Sequence, residues 1–143
     1  MKVSSKTLYT LQFLSALAIK ERKGPVQLRE IATEYGIPFK FLEQIAILMK
    51  SVGLVRGTRG KTGGYHLAEA PEKIDLARVI KATEGEILPC ADIEGGNAVV
   101  GGLLAEVFAE QREVVDKGLS DVTIADIADR ARSRMEPAPM YYL

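Results

Sequence analysis

Apolar positions near the start of the chain recur every three or four places, which is the spacing of one face of an α-helix. This pattern predicts a helix over residues 5–22, which Ser4 or Ser5 can cap. The residues predicted to face inward are Leu8, Leu11, Leu14, Leu17 and Ala18.

Two further helices are predicted over about 27–35 and 38–51. Gly36 is typical of the position just after a helix end. Pro38 lies where the next helix begins, and proline is tolerated there because the first N–H groups of a helix have no partner within it. At about 100° per residue, one side of the later helix is apolar: Phe41, Leu42, Ile45, Leu48, Met49 and Val52. The opposite side carries Lys40, Glu43, Gln44 and Ile47. Two helices joined by such a short turn form a helix-turn-helix.

The segment 54–67 follows directly and has two apolar ends around a glycine-rich loop. Such a pattern predicts a β-hairpin, and its cations Arg56, Arg59 and Lys61 make the hairpin basic. A helix-turn-helix followed by a basic hairpin is a winged helix. We therefore predict a mainly α fold with a small β-hairpin wing.

The second half of the chain begins with a predicted helix over about 75–84, which is followed by an irregular loop. A long helix is predicted over about 98–117, and a Thr-x-x-Asp capping box at Thr123 starts a last helix to about 134. The long helix has apolar residues at coiled-coil spacing, so it packs on a second subunit or within its own chain. The predicted division is a DNA-binding domain at 1–84, a loop at 85–97, two helices at 98–136 and a tail at 137–143.

Charge is distributed unequally, although Lys+Arg and Asp+Glu are balanced at 19 each. Residues 1–68 hold eleven Lys/Arg and four Asp/Glu, whereas residues 69–143 hold eight and fifteen. Such asymmetry indicates that the winged half meets a polyanion. The alternative is a solvated surface with an accidental imbalance.

Composition reduces the number of protein classes to which the chain can belong. No apolar run is long enough to span a membrane and no secretion signal is recognisable, so we expect a cytoplasmic protein. One Cys, one His and no paired acid–base motif leave little basis for an enzyme. The single histidine, His66, is expected to pack or to contact a phosphate at the base of the wing.

With these elements in place, the sequence resembles the Rrf-two family of bacterial winged helix-turn-helix transcriptional regulators. The matching segments are Lys6-Thr7-Leu8-Tyr9, Glu30-Ile31-Ala32, Phe41-Leu42-Glu43-Gln44-Ile45, Gly53-Leu54-Val55, Arg59-Gly60, Gly63-Gly64-Tyr65, Asp75-Leu76, Val79-Ile80, Glu84-Gly85 and Val122-Thr123-Ile124-Ala125-Asp126-Ile127. Together they extend over essentially the whole chain.

The resemblance implies a homodimer joined through the long helix and bound to a roughly palindromic operator, which we expect it to repress. It also implies a sensor loop before that helix, where many members hold an iron–sulfur cluster with three cysteines. Cys90 matches the first of these, but the other positions fall near Gly96 and Gly102. One thiol is a poor cluster site, so we expect no cluster or metal. Cys90 is then an inert residue, a thiol switch or a ligand shared between subunits, and a small molecule or a protein can be the effector.

The DNA-binding residues expected from these patterns form three groups. Lys40, Glu43, Gln44 and Ile47 face base edges in the major groove, and Arg59 and Lys61 follow the minor groove. The candidate phosphate contacts are Arg56, Ser5, Lys6, Tyr9 and Gln27. The alternative is a winged-helix module that binds only proteins.

Overall fold

The computed structural model describes residues 1–20 and 24–135, which form six α-helices and one two-stranded sheet. In chain order these are α1 (Ser5–Lys20), α2 (Leu28–Tyr35), α3 (Phe39–Ser51), β1 (Val55–Thr58), β2 (Gly64–Leu67), α4 (Leu76–Glu84), α5 (Ala98–Ser120) and α6 (Ile124–Met135). The mainly helical fold with a hairpin wing is confirmed. The predicted tail at 137–143 lies outside the described residues.

The first helix is capped by Ser4, whose hydroxyl accepts a hydrogen bond from the N–H of Thr7 at 3.2 Å. Its buried face includes Thr7, Thr10 and Phe13. The prediction that Leu8 faces inward is wrong, since its side chain is 50% exposed. The prediction was based on the spacing of apolar residues alone. The buried threonines have hydrogen-bond partners for their hydroxyls, so they occupy core positions at little cost.

The helix-turn-helix forms because α2 ends at a residue that can turn the chain sharply. Gly36 has φ 64°, which glycine adopts without strain, and its N–H bonds the carbonyl of Ala32. Beyond the turn, α3 buries one side in the common core. The residues that fill this core most completely include Phe13, Leu14, Leu17, Ile31, Leu42, Ile45, Met49 and Leu54. Val52, predicted to face inward, is 40% exposed because α3 already ends at Ser51.

The wing is an antiparallel hairpin in which Val55 pairs with Leu67 and Thr58 pairs with Gly64. A third segment supports it, since Val26 and Tyr65 exchange two backbone hydrogen bonds of 2.9 and 2.8 Å. The base of the wing is therefore attached to the chain that leads into α2.

The last helix returns to the winged domain. The N–H of Leu76 bonds the carbonyl of Val122, and the N–H of Ile124 bonds the carbonyl of Ile74. The predicted capping box is confirmed, because Thr123 and Asp126 exchange backbone-to-side-chain hydrogen bonds of 2.9 and 3.2 Å. α6 then packs against α1 and buries Ile124, Ala125 and Ala128.

The long helix α5 differs from the others because it buries none of its residues. It extends three residues beyond the predicted end at 117. Contacts with the winged domain come from its C-terminal half, where Lys81 pairs with Asp116 at 2.7 Å. Arg112 also donates hydrogen bonds of 2.8 and 2.9 Å to the carbonyls of Ile87 and Leu88.

Candidate nucleic-acid interface

The side of α3 that faces away from the core carries the residues expected to read DNA. Lys40, Glu43, Gln44 and Ile47 are all exposed, and Ile47 is 59% exposed. Leu42, Ile45 and Met49 on the other side are buried and fix the rotation of the helix. The exposed face is therefore a rigid projection that combines a cation, a carboxylate, an amide and an apolar group.

The wing adds three exposed cations beside this helix. Arg59 lies in the loop between the two strands, next to Gly60, and Lys61 follows it. Arg56 lies on β1, where it lines a groove together with Lys50 at the C-terminal end of α3. Lys50 and Arg56 thus join the end of α3 and β1 in one largely cationic surface, although Glu69 lines the same groove.

Sequence reasoning missed Lys50 as a member of this surface. Its position could have been found, because residues 43, 47 and 50 share one face of a helix by their spacing. Lys50 is exposed, like the predicted residues before it.

The predicted cations of this surface are not engaged in ion pairs within the described residues. In the part of the chain that the structure describes, Lys40, Arg56, Arg59 and Lys61 form no ion pair with a carboxylate. Elsewhere, Lys20, Arg78, Lys81, Arg112 and Arg132 pair with carboxylates, whereas other cations of the described residues, such as Lys73 and Arg134, do not. The cations near α3 and in the wing thus keep their charge available for an external anion.

The start of α1 combines candidate phosphate contacts with a nearby carboxylate. Ser5 and Lys6 are exposed, whereas Tyr9 is half-buried with its ring 5.6 Å from that of Phe41, edge to face. The carboxylate of Glu84 accepts a 2.7 Å hydrogen bond from the N–H of Ser4, so an anion already lies at this helix end. The expected phosphate contacts here therefore compete with an internal carboxylate.

Gln27 and His66 lie beside the wing. Gln27 is exposed, and its amide donates a 3.5 Å hydrogen bond to the carbonyl of Lys61, which connects the start of α2 to the wing loop. His66 is half-buried opposite Arg56, and its Nδ1 is buried with no hydrogen-bond partner among the described residues.

Cys90 lies in the loop before α5 and is exposed. Its Sγ is 4.0 Å from Nη2 of Arg112, the residue that holds this loop on α5. The described residues contain no group of three His, Cys, Asp or Glu side chains that could hold a metal. The donor set of one thiol per chain does not fit an iron–sulfur cluster.

Among the described residues, no helix is both long and apolar enough to cross a bilayer.

Comparison with known proteins agrees with this picture. A family model described as "Rrf2: Iron-dependent Transcriptional regulator" matches residues 3–130. The transcriptional regulator CymR of Bacillus subtilis is 32% identical over 143 residues and is covered completely, as is this chain. IscR of Erwinia tasmaniensis is 29% identical over 132 residues, which cover 90% of this chain and 79% of IscR.

Solved structures show the same relationship. The structure of CymR, "the Global Cysteine Regulator of B. subtilis", aligns with a TM-score of 0.76 at 31% identity, covering 91% of this chain and 98% of CymR. T. potens IscR also aligns with a TM-score of 0.76, at 28% identity and with coverage of 97% and 94%.

The winged helix-turn-helix, its unpaired cationic surface and these relatives define a DNA-binding transcriptional regulator, not an enzyme. The chain belongs to the Rrf2 family.

Proposed function

We propose that this chain is a homodimeric transcriptional repressor that binds a roughly palindromic operator through α3 and the wing. The observation that carries the proposal is the exposed polar face of α3, which continues into a wing whose cations have no carboxylate partner among the described residues. A protein of this kind works in the cytoplasm, where the DNA is.

In this proposal α3 enters the major groove and presents its exposed face to base edges. Glu43 accepts a hydrogen bond from cytosine N4, and Gln44 pairs with adenine. Lys40 binds guanine or a phosphate, and Ile47 contacts a thymine methyl group. Since Ile47 is 59% exposed in the free protein, its contact with DNA also removes apolar surface from water.

The wing supplies the electrostatic part of binding. Arg59 and Lys61 follow the minor groove, and Arg56 binds a phosphate beside α3. Ser5, Lys6, Tyr9 and Gln27 are the further phosphate contacts in this proposal. These contacts position the protein, whereas the side chains of α3 select the sequence.

The second subunit is proposed from the surface of α5. Val100, Leu104, Val107, Gln111 and Val114 follow coiled-coil spacing, and the four apolar members are each between 46% and 65% exposed. A monomer rarely exposes such a long apolar stripe, so a partner is needed to cover it. An identical helix has the same spacing and covers both copies at once. A two-fold dimer places two α3 helices for two half-sites, which explains a palindromic operator.

We further propose that the protein acts without an iron–sulfur cluster, because a single thiol per chain cannot supply the usual ligand set. The signal is then a small molecule, a partner protein or the redox state of Cys90. An absorbance spectrum of anaerobically purified protein tests this proposal, since a visible charge-transfer band would contradict it.

Fluorescence-anisotropy titration with genomic DNA fragments, at low and at high salt, tests DNA binding itself. We expect tight binding at low salt and a loss of roughly 10³–10⁵ in affinity between 50 and 200 mM salt if six to ten phosphates are contacted. Absence of salt-sensitive binding would favour the second candidate, a winged-helix module that binds proteins.

A further inference from the structure

The guanidinium of Arg29 stacks on an aromatic ring at the start of the helix that is proposed to read DNA. Its Cζ lies 4.2 Å from the centroid of the Phe39 ring. Arg29 belongs to the first turn of α2, whereas Phe39 is the first residue of α3. The stack therefore connects the two helices of the helix-turn-helix on their N-terminal side.

This position lies at the edge of the exposed face of α3. Phe39 and Glu43 are one turn apart, so they share one side of the helix. Arg29 remains an exposed residue although its guanidinium contacts the ring. A cation held here lies beside the groove-reading residues, at the place where a helix-turn-helix crosses the DNA backbone.

Stability of the helix does not explain a cation at this position. The N-terminal end of a helix carries partial positive charge, so an arginine in the first turn is unfavourable for α2. Gln27, which precedes the helix, provides no side-chain cap. Within the described ranges Arg29 has no carboxylate partner either, and Glu30 and Glu34 of the same helix pair with Lys20. A cation–π contact at an exposed site is itself only weakly stabilising.

We propose that Arg29 is a phosphate-binding residue of the DNA interface and that the Phe39 ring holds its guanidinium in position. The ring covers one face of the planar group and leaves its N–H edge free to donate two parallel hydrogen bonds to a phosphate. Stacking also restricts the side chain before DNA arrives, which reduces the entropy that is lost on binding. This inference rests on the proposed DNA-binding function. It adds to the interface a phosphate contact that comes from α2.

The test compares Arg29→Gln with the matched control Arg134→Gln, an exposed arginine on α6, by measuring the dissociation constant over a series of salt concentrations. Glutamine keeps a planar polar group and loses the charge. We expect Arg29→Gln to weaken binding about tenfold for specific and non-specific DNA alike and to reduce the salt slope by about one. Arg134→Gln should match the wild type.

Phe39→Leu tests the role of the aromatic ring separately from that of the Arg29 charge. This variant keeps the charge, so we expect its salt slope to equal that of the wild type while its affinity falls several-fold. Thermal unfolding of each variant confirms that it is folded.

A wild-type salt slope in Arg29→Gln would overturn the inference, and a loss of stability alone would show that the stack is only structural. If the wild-type protein itself shows no salt-sensitive binding, then the proposed function fails instead.

Discussion

Glu43 is an acidic side chain on a surface whose other charged groups are cations. A carboxylate close to phosphates reduces overall affinity, so its presence needs a compensating role. Acceptance of a hydrogen bond from cytosine N4 is such a role, since only a cytosine at one position then offsets the repulsion. In the proposed readout, selectivity at this residue would arise as much from the sequences it rejects as from the one it accepts.

Replacement of Glu43 by Gln should change which base is preferred at that position, at a cost of about 1–3 kcal/mol of discrimination. Overall affinity for non-specific DNA should rise slightly, because a negative charge is removed. Competition binding with operators that carry each base at the position measures this change. Glu72→Gln, which lies away from α3, is the control; an unaltered base preference in Glu43→Gln would exclude the residue from readout.

The carboxylate of Glu84 has a structural role at the start of α1. Hydrogen bonds from the hydroxyls of Ser4 and Thr7 and from the backbone N–H of Ser4 lower the pKa of Glu84 to about 2, from an ordinary value of 4.5. The stabilisation is thus complete above the ordinary pKa and is lost as the pH falls toward the folded-state value.

Glu84→Gln should consequently lower the free energy of unfolding at neutral pH, with a difference from wild type that shrinks as the pH falls from 4.5 toward 2. Urea denaturation over a series of pH values measures the difference. A difference between the two proteins that does not change with pH would contradict the role given to the ionised carboxylate.

The wing depends on contacts between distant segments, at the scale of whole elements. A Cβ at position 64 would approach the backbone of Val26 to 2.4 Å, so only glycine allows β2 to lie against the segment before α2. Position 57 on β1 differs, because a Cβ there would meet a ring carbon of Tyr65 at an ordinary 3.6 Å. The two glycines of one hairpin thus have unequal importance.

Gly64→Ala should lower the free energy of unfolding by about 1–3 kcal/mol, because the backbone must shift to relieve the contact. Since the shift displaces the wing, DNA affinity should fall as well. Gly57→Ala is the matched control and should change both quantities little. Chemical denaturation and anisotropy measure them, and equal behaviour of the two variants would contradict the tight attachment at Val26.

Features that depend on residues close together in the sequence were predicted well. The turn at Gly36, the capping box at Thr123 and the side of α3 that faces outward follow from neighbouring residues, and the structure has them as expected. Leu8 was misplaced because buried threonines carry the inward face of α1. The pairing of Val26 with the wing could not be predicted, since it joins residues far apart in the chain.

At the scale of the whole molecule, the winged domain and α5 present different kinds of surface. The winged domain holds the core and the cationic surface, while α5 adds an apolar stripe that the described residues leave exposed. Lys81 and Arg112 connect α5 to the winged domain through its C-terminal half. A signal that moves α5 would therefore also change the spacing between two α3 helices in a dimer.

Val107→Glu should convert the dimer to a monomer, because an unpaired charge buried at the seam costs about 3–5 kcal/mol. Ala109→Glu introduces the same charge about 200° further around the helix, so it should leave the dimer intact. Light scattering coupled to size exclusion gives the mass of each variant. A wild-type mass equal to the monomer, or an unchanged dimer in Val107→Glu, would contradict the proposed interface.

Selection of bound fragments from random or genomic DNA tests the central claim most directly, since it requires both groove reading by α3 and pairing of two subunits. We expect an enriched motif with two-fold symmetry whose half-sites are about one helical turn, or a multiple of it, apart. A pool without an enriched motif, or one enriched only for single asymmetric sites, would contradict it.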